Sequence, residues 1–391
     1  MSLTLRYGEL SHHKDIEKLG EILDQCFISF AGRGESYIHR MGVERCRIIR
    51  TGEEIIGGLA IIPLGQWWGN NCVEMGGIAV VGIAPAYRGQ GAARVLMQES
   101  VKEMYARGMG ISVLFPATQY FYRQIGYGEA GIVCQWEIKS SQIPLLPQIL
   151  PFERVAVDEL DLFTKLYSQQ TRLYNGYVQR DRFLWGEKIR TEEDTVYAYV
   201  IGGREQPQGY IIYTQYSSGG ENILRIRDWV LLNQDAITSF WAFLAKMRSQ
   251  ITKVRWSDAG ITAIAYGLPE QHQQLHDAAK WMMRIVNVVK ALEKRGYPPG
   301  LTAELHLQLK DDLIAENNGN FLLQINHGQA KVEKGGNGDL ELDIRTLAPI
   351  YTGLFAPVQL QFIGQLTGSG NAISTATQIF AGTVPTISDY F

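Results

Sequence analysis

The sequence predicts a mixed α/β chain of three domains, two α/β domains in tandem followed by a small α+β domain. Three observations predict it. At 391 residues the chain is too long for one ordinary core, because domains run to roughly 100–200 residues. Strand patterns alternate with amphipathic helical patterns through the first two thirds, and after Gly300 they give way to short strands and Gly-rich turns. Proline-containing breaks fall at 143–151 (Pro144, Pro147, Pro151) and at Tyr297-Pro298-Pro299-Gly300, which sets the expected domains at 1–145, 146–296 and 297–391.

Each element follows from its own pattern. In 11–27, Ile16, Leu19, Leu23, Cys26 and Phe27 recur at helical spacing behind Ser11 as a cap, giving an amphipathic helix. Residues 47–50, 55–64 and 73–83 read as strands, with Gly69-Asn70-Asn71 as a turn. Residues 92–107 form a helix with Ala93, Leu96, Met97, Val101 and Met104 on one face, stopped by Gly108. A strand at 111–115 ends at Pro116. The middle third carries strands at 196–201 and 210–216 and an amphipathic stretch at 237–251. Beyond Gly300 come strands at 301–309 and 317–325 and a turn at Gly335-Gly336-Asn337-Gly338.

Composition excludes several classes. The chain is 46% hydrophobic and 20% charged, with no apolar run near the roughly 18 residues of a membrane span. No basic segment followed by an apolar one opens the sequence, so a cytoplasmic chain without a membrane partner is expected. A net charge of -3 with no basic run argues against nucleic acid. Cys26, Cys46, Cys72 and Cys134 lack CxxC spacing and read as reduced core thiols. The seven histidines show no HxxE spacing, and no metal is predicted.

The chemistry concentrates in Val80-Val81-Gly82-Ile83-Ala84-Pro85-Ala86-Tyr87-Arg88-Gly89-Gln90-Gly91-Ala92-Ala93, a strand, a Gly-containing turn and a helix start. Unpaired N–H groups at a helix N-terminus bind the diphosphate of a nucleotide-like cofactor, and Gly89 and Gly91 admit it without a Cβ in the way. The spacing is neither GxGxxG nor GxxxxGK followed by Ser/Thr. Arg88-Gly89-Gln90-Gly91-Ala92-Ala93 instead resembles the pyrophosphate loop of the GNAT superfamily, Gln/Arg-x-x-Gly-x-Gly/Ala, with Ile83-x-Pro85-x-x-Arg88 before it. That resemblance implies acetyl-CoA as co-substrate, held by Arg88, Gly89, Gln90, Gly91, Ala92 and Ala93 and by backbone groups of Val81, Gly82 and Ile83.

Leu114-Phe115-Pro116-Ala117 and Phe121-Tyr122-Arg123-Gln124-Ile125-Gly126-Tyr127-Gly128 narrow the resemblance to the Eis (enhanced intracellular survival) family, which has an IYxRFGYG-like segment. It runs the length of the chain. Arg180-Asp181-Arg182-Phe183-Leu184-Trp185 and Trp281-Met282-Met283-Arg284-Ile285 resemble that family's central, degenerate GNAT-like domain. Asp339-Leu340-Glu341-Leu342-Asp343, Leu347-Ala348-Pro349-Ile350-Tyr351-Thr352-Gly353 and Asp389-Tyr390-Phe391 resemble its sterol-carrier-like C-terminal domain. The implied fold is two GNAT-like domains in tandem followed by a sterol-carrier-protein-like α+β domain.

The resemblance implies an N-acetyltransferase in which Tyr122 protonates the leaving thiolate as general acid and the C-terminal carboxylate of Phe391 is general base. It also implies an acceptor amine on a polycationic small molecule (aminoglycoside-like or polyamine) or a protein lysine, and a homo-oligomer, a hexamer. A tyrosine with its usual pKa near 10 is protonated at neutral pH, and a carboxylate accepts a proton from an attacking amine. The chain departs from the family in having Arg88-Gly89-Gln90 where several arginines are common, and Tyr390 where an acid is common. Glu35, Glu74 and Asp389 are candidate acids for a cationic amine. A non-catalytic acetyl-CoA sensor and a lipid-carrier-type binding protein are the competing readings; the retention of Arg88, Gly91 and Ala93 favours the enzyme.

Overall fold

The computed structural model describes residues 4–10, 12–28, 32–191, 194–261 and 263–391. The first segment runs β1 (Leu5–Glu9), α1 (His13–Cys26), α2 (Gly34–Met41), β2 (Cys46–Thr51), β3 (Glu54–Trp68), β4 (Asn71–Ile83), α3 (Ala92–Ala106), β5 (Ile111–Leu114), α4 (Gln119–Arg123) and β6 (Gly128–Lys139). The second runs β7 (Phe152–Val155), α5 (Leu160–Thr171), β8 (Val178–Gln179), α6 (Arg182–Ile189), β9 (Val196–Ile201), β10 (Gly209–Ser218), β11 (Glu221–Leu231), α7 (Gln234–Lys246), β12 (Lys253–Asp258), α8 (Ala263–Tyr266), β13 (Gln274–Ile285) and α9 (Val288–Lys294). The third runs β14 (Ala303–Lys310), β15 (Gly319–Asn326), β16 (Gln329–Lys334), β17 (Leu340–Asp343), α10 (Ile344–Thr352), α11 (Pro357–Phe362), β18 (Leu366–Gly368) and α12 (Gly370–Ile379). Ser11, read as the first helix cap, lies outside the described residues; α1 starts behind an extended His12.

The first two segments share one sheet, ordered β1-β2-β3-β4-β5-β13-β6-β12-β11-β10-β9-β7 with β8 on β3. The order shows an exchange of strands. β13, from the second segment, lies between β5 and β6, and β6, from the first, lies between β13 and β12. Gly131 opposes Trp281 across this seam, where a Cβ would approach the indole to 2.6 Å, so only glycine leaves the ring room.

Both faces of the sheet are covered, which explains the nearly continuous apolar runs of β3 and β4. On one face Ile16, Leu19, Ile22 and Leu23 of α1 pack with Ile48, Ile55 and Ile62; on the other, Leu96, Met97, Val101 and Met104 of α3 pack with Ile49, Ile56 and Ile61. The second segment repeats the arrangement, with Phe240, Trp241 and Leu244 of α7 on one face and Phe163, Leu166 and Tyr167 of α5 on the other. In the third segment a five-stranded sheet, β16-β15-β14-β17-β18, carries α10 and α12, and Leu307, Phe321, Leu323, Leu340, Leu347 and Ile379 fill its interior. Among the described residues no helix is long and apolar enough to cross a membrane.

Candidate active site

The site begins where two parallel strands part. β4 and β5 pair at Met75/Ile111, Gly76/Ser112 and Gly77/Val113, after which β5 ends and β4 runs on to Ile83, paired among the described strands with β3 alone. On that β3 side the register slips between Gly58/Gly82 and Ala60/Ala79, so Val80 and Val81 together oppose Leu59 as a bulge. Val80 takes φ 48°, a left-handed conformation that costs a β-branched residue about 1–3 kcal/mol. The bulge redirects Val81, Gly82 and Ile83, the residues expected to meet the pantetheine arm, beside the open edge.

A short loop then leads to α3. The Ala84 N–H donates to Ile56 O (2.8 Å), and residues Pro85–Tyr87 make one 3-10 turn held by Tyr87 Oη donating to Glu54 Oε2 (2.6 Å). Gly89 (φ 76°) and Gly91 (φ 85°) are both left-handed, and a Cβ on either would meet nothing within 4 Å. The backbone therefore demands glycine for conformation at both positions. Gly91 caps α3 without a side-chain acceptor, which leaves the first-turn N–H groups at Ala92 and Ala93 facing the loop, with no acid in that turn. Arg88 is differently employed from its expected role on a phosphate. Its Nε donates to Ile83 O (3.1 Å) and its Nη2 lies 3.4 Å from Cys26 Sγ, so it pins the loop to the strand end. Gln90 likewise donates to Ala86 O (3.1 Å).

Tyr122, on α4, is 6% exposed, with its ring 4.9 Å from that of Phe121 and 6.0 Å from that of Tyr127. Burial pushes its pKa up to about 12, so the phenol keeps its proton throughout the physiological range. Tyr127 Oη hydrogen-bonds Ser112 Oγ (2.7 Å), which donates to Gly76 O (2.9 Å). The tyrosine pair is thereby tied to the last rungs between β4 and β5.

The end of the chain returns to the same place. A Cβ on Gly77 would lie 2.9 Å from the Phe391 ring, so the aromatic rests directly on the strand at the final rung. Phe115, just past β5, stacks on Tyr390 (4.2 Å) and meets Phe391 edge-on (6.3 Å). Behind the aromatics, buried Asp389 accepts from Arg180 Nε (2.7 Å), and Arg180 also binds Asp228 through Nη2 (2.8 Å) while lying over the Tyr167 ring at 3.9 Å. Tyr210 Oη donates to Asp228 (2.6 Å), and the Thr386 N–H donates to Asn175 O (3.0 Å).

The Phe391 ring thus meets β4 at Gly77, Tyr122 connects to Gly76 only through Tyr127 and Ser112, and the loop lies at the far end of β4. The three candidate acids do not converge. Asp389 is consumed by Arg180 and Lys188, Glu35 faces His39 on α2 at 3.7 Å, and Glu74 is exposed toward the other end of β4. Arg180 and Gly77 were not among the expected site residues. The signal for Gly77 was present: Gly76-Gly77 inside an apolar strand marks a close approach.

With this geometry in place, comparison with known proteins is informative. Residues 10–130 and 176–285 each match an acetyltransferase (GNAT) domain family, and 288–388 match a sterol carrier protein domain family. No curated protein sequence matches. Among solved structures, a GCN5-related N-acetyltransferase from Anabaena variabilis is 48% identical over 99% of this chain and 100% of that one, with a TM-score of 0.97. A GCN5-related N-acetyltransferase from Kribbella flavida (23% identity, 100% and 99% coverage, TM-score 0.86) and Eis1 from Mycobacterium abscessus (18%, 99% and 100%, 0.82) share the fold. The chain therefore belongs to the GCN5-related N-acetyltransferase family, acetyl-CoA-using acyltransferases, in the three-domain form that Eis1 also adopts.

Proposed function

We propose that the chain transfers the acetyl group of acetyl-CoA directly to a primary amine, with Tyr122 as general acid and the carboxylate carried by Phe391 as general base. The amine nitrogen adds to the thioester carbonyl carbon and gives its proton to the Phe391 carboxylate. The C–S bond then breaks, and the thiolate takes the Tyr122 proton. Val81, Gly82 and Ile83 align the thioester arm, and the Gly89–Ala93 turn binds the diphosphate. Catalysis in this scheme comes mainly from orientation and from donors waiting where charge develops.

The observation that supports the reading is the Phe391 ring resting on Gly77 while the Tyr122 ring packs on Tyr127, whose hydroxyl is hydrogen-bonded to Ser112 and so to Gly76. The acceptor stays a primary amine of a small molecule or a lysine. Its polycationic character rests on the resemblance, since Glu35, Glu74 and Asp389 form no acidic cluster. A packed third-domain interior weighs against a lipid carrier. Assembly as a homo-oligomer, a hexamer, belongs to the same reading and is read by sedimentation equilibrium.

The test is CoA-thiol release with polyamines, aminoglycosides and lysine peptides. Tyr122→Phe is expected to lower kcat about 100-fold with the acetyl-CoA KM kept, the range of one general acid. A chain extended by two glycines beyond Phe391 should lose turnover similarly. Full turnover in the extended chain removes the carboxylate from the scheme, and unaltered Tyr122→Phe kinetics remove the acid.

A further inference from the structure

We infer that a cavity between α3, α4 and the third segment receives the 3′-phosphate of coenzyme A, with Arg94 and Arg123 as its ligands. The inference rests on the acetyl-CoA reading above. The cavity, about 390 Å³, is lined by Arg94 from the first turn of α3, Arg123 at the end of α4, and Lys310, Asp311, Asp312 and Arg345 from the third segment.

Charge accounting within the cavity singles out the two arginines. Asp311 is bound by buried Arg284 through both carboxylate oxygens (2.8 Å each), Asp343 by Arg345 Nε (3.1 Å), and Asp312 lies 3.8 Å from Lys310. Each carboxylate already has a cation. Arg94 and Arg123 are exposed and form no ion pair among the described residues, so the cavity carries two uncompensated guanidiniums. Guanidinium forks match the geometry of a phosphate dianion.

Position agrees with charge. Arg94 lies three residues beyond Gly91, the cap of the helix that would hold the diphosphate, and Arg123 directly follows Tyr122. A cofactor with its diphosphate at the Gly91 turn carries its adenosine 3′-phosphate beyond that turn, and Arg94 and Arg123 line one cavity beside it. The loop itself supplies no free cation for it, because Arg88 is committed to Ile83 O and Cys26. The third segment thereby becomes one wall of the cofactor site.

The test is calorimetric titration of the full chain with CoA and with dephospho-CoA, which lacks only the 3′-phosphate. The native chain should bind CoA about 10-fold or more tightly than dephospho-CoA at low salt, with the gap narrowing in 0.5 M NaCl as exposed charges are screened. Arg94→Gln with Arg123→Gln should bring CoA down to the dephospho-CoA affinity and leave dephospho-CoA binding and Tm unchanged. Equal binding of both ligands by the native chain overturns the inference, as does an equal loss for both ligands in the double variant, which would put the arginines on the diphosphate. Binding of neither ligand overturns the acetyl-CoA reading as well.

Discussion

Asp389 shows how differently one residue reads from sequence and from structure. As an acid two places before the end it suggested a contact for a cationic amine, whereas its carboxylate anchors the tail through Arg180, 209 positions away in sequence. No local pattern reveals a pair so distant. Burial by itself would raise its pKa, but Arg180 and Lys188 hold it below the usual carboxylate range. A depressed folded value means that the anchor's contribution is fully present above the unfolded pKa of about 4 and is lost only as pH falls through the lower folded value. Amide exchange in 386–391 should therefore stay slow from pH 8 to 5 and quicken only below about 4; fast exchange at pH 6 would contradict the anchor. Asp389→Asn, which leaves Arg180 paired with Asp228, should lower kcat with the acetyl-CoA KM intact. Arg180→Met strips buried Asp228 of its cation and leaves Asp389 only Lys188, and should cost about 3–5 kcal/mol in urea unfolding.

At the scale of elements, the strand at 71–83 and the helix at 92–106 were legible because apolar side chains and a glycine turn mark them. The bulge between them was not. Valine favours a regular strand, and nothing local signals a left-handed Val80; the bulge exists because the β3 ladder and the Ala84–Ile56 hydrogen bond fix both ends of β4. The five-residue α4 was equally hidden, since too few residues carry a period there. If the bulge turns the strand end toward the cofactor, deleting Val80 should restore a regular β3–β4 ladder. The expected result is an unchanged far-UV spectrum with acetyl-CoA affinity lowered about 10-fold or more, because alternation across a strand reverses the faces of neighbouring residues. Unchanged affinity would mean that the loop alone positions the arm.

For the whole molecule, the tandem α/β order was readable from alternating patterns, but the exchange of β6 and β13 was not, since a strand's pattern says nothing of its neighbours. The exchange makes the first segment incomplete on its own. Trp281, Met282, Met283 and Ile285 of β13 are fully buried, and each such side chain contributes about 1.5–3 kcal/mol. Four of them together rival the roughly 5–15 kcal/mol by which a whole domain is stable. β6 in turn has both of its strand neighbours, β12 and β13, in the second segment. A fragment cut at the proline break, residues 1–145, should consequently show no cooperative urea transition, while co-expression with 146–391 should recover a complex that binds acetyl-CoA. In the intact chain the first two segments should melt together, with fluorescence of Trp68 and Trp256 changing at one denaturant concentration. A fragment 1–145 that folds as a stable monomer, or separate transitions for the two tryptophans, would show that the shared sheet does not couple the catalytic fold to its neighbour.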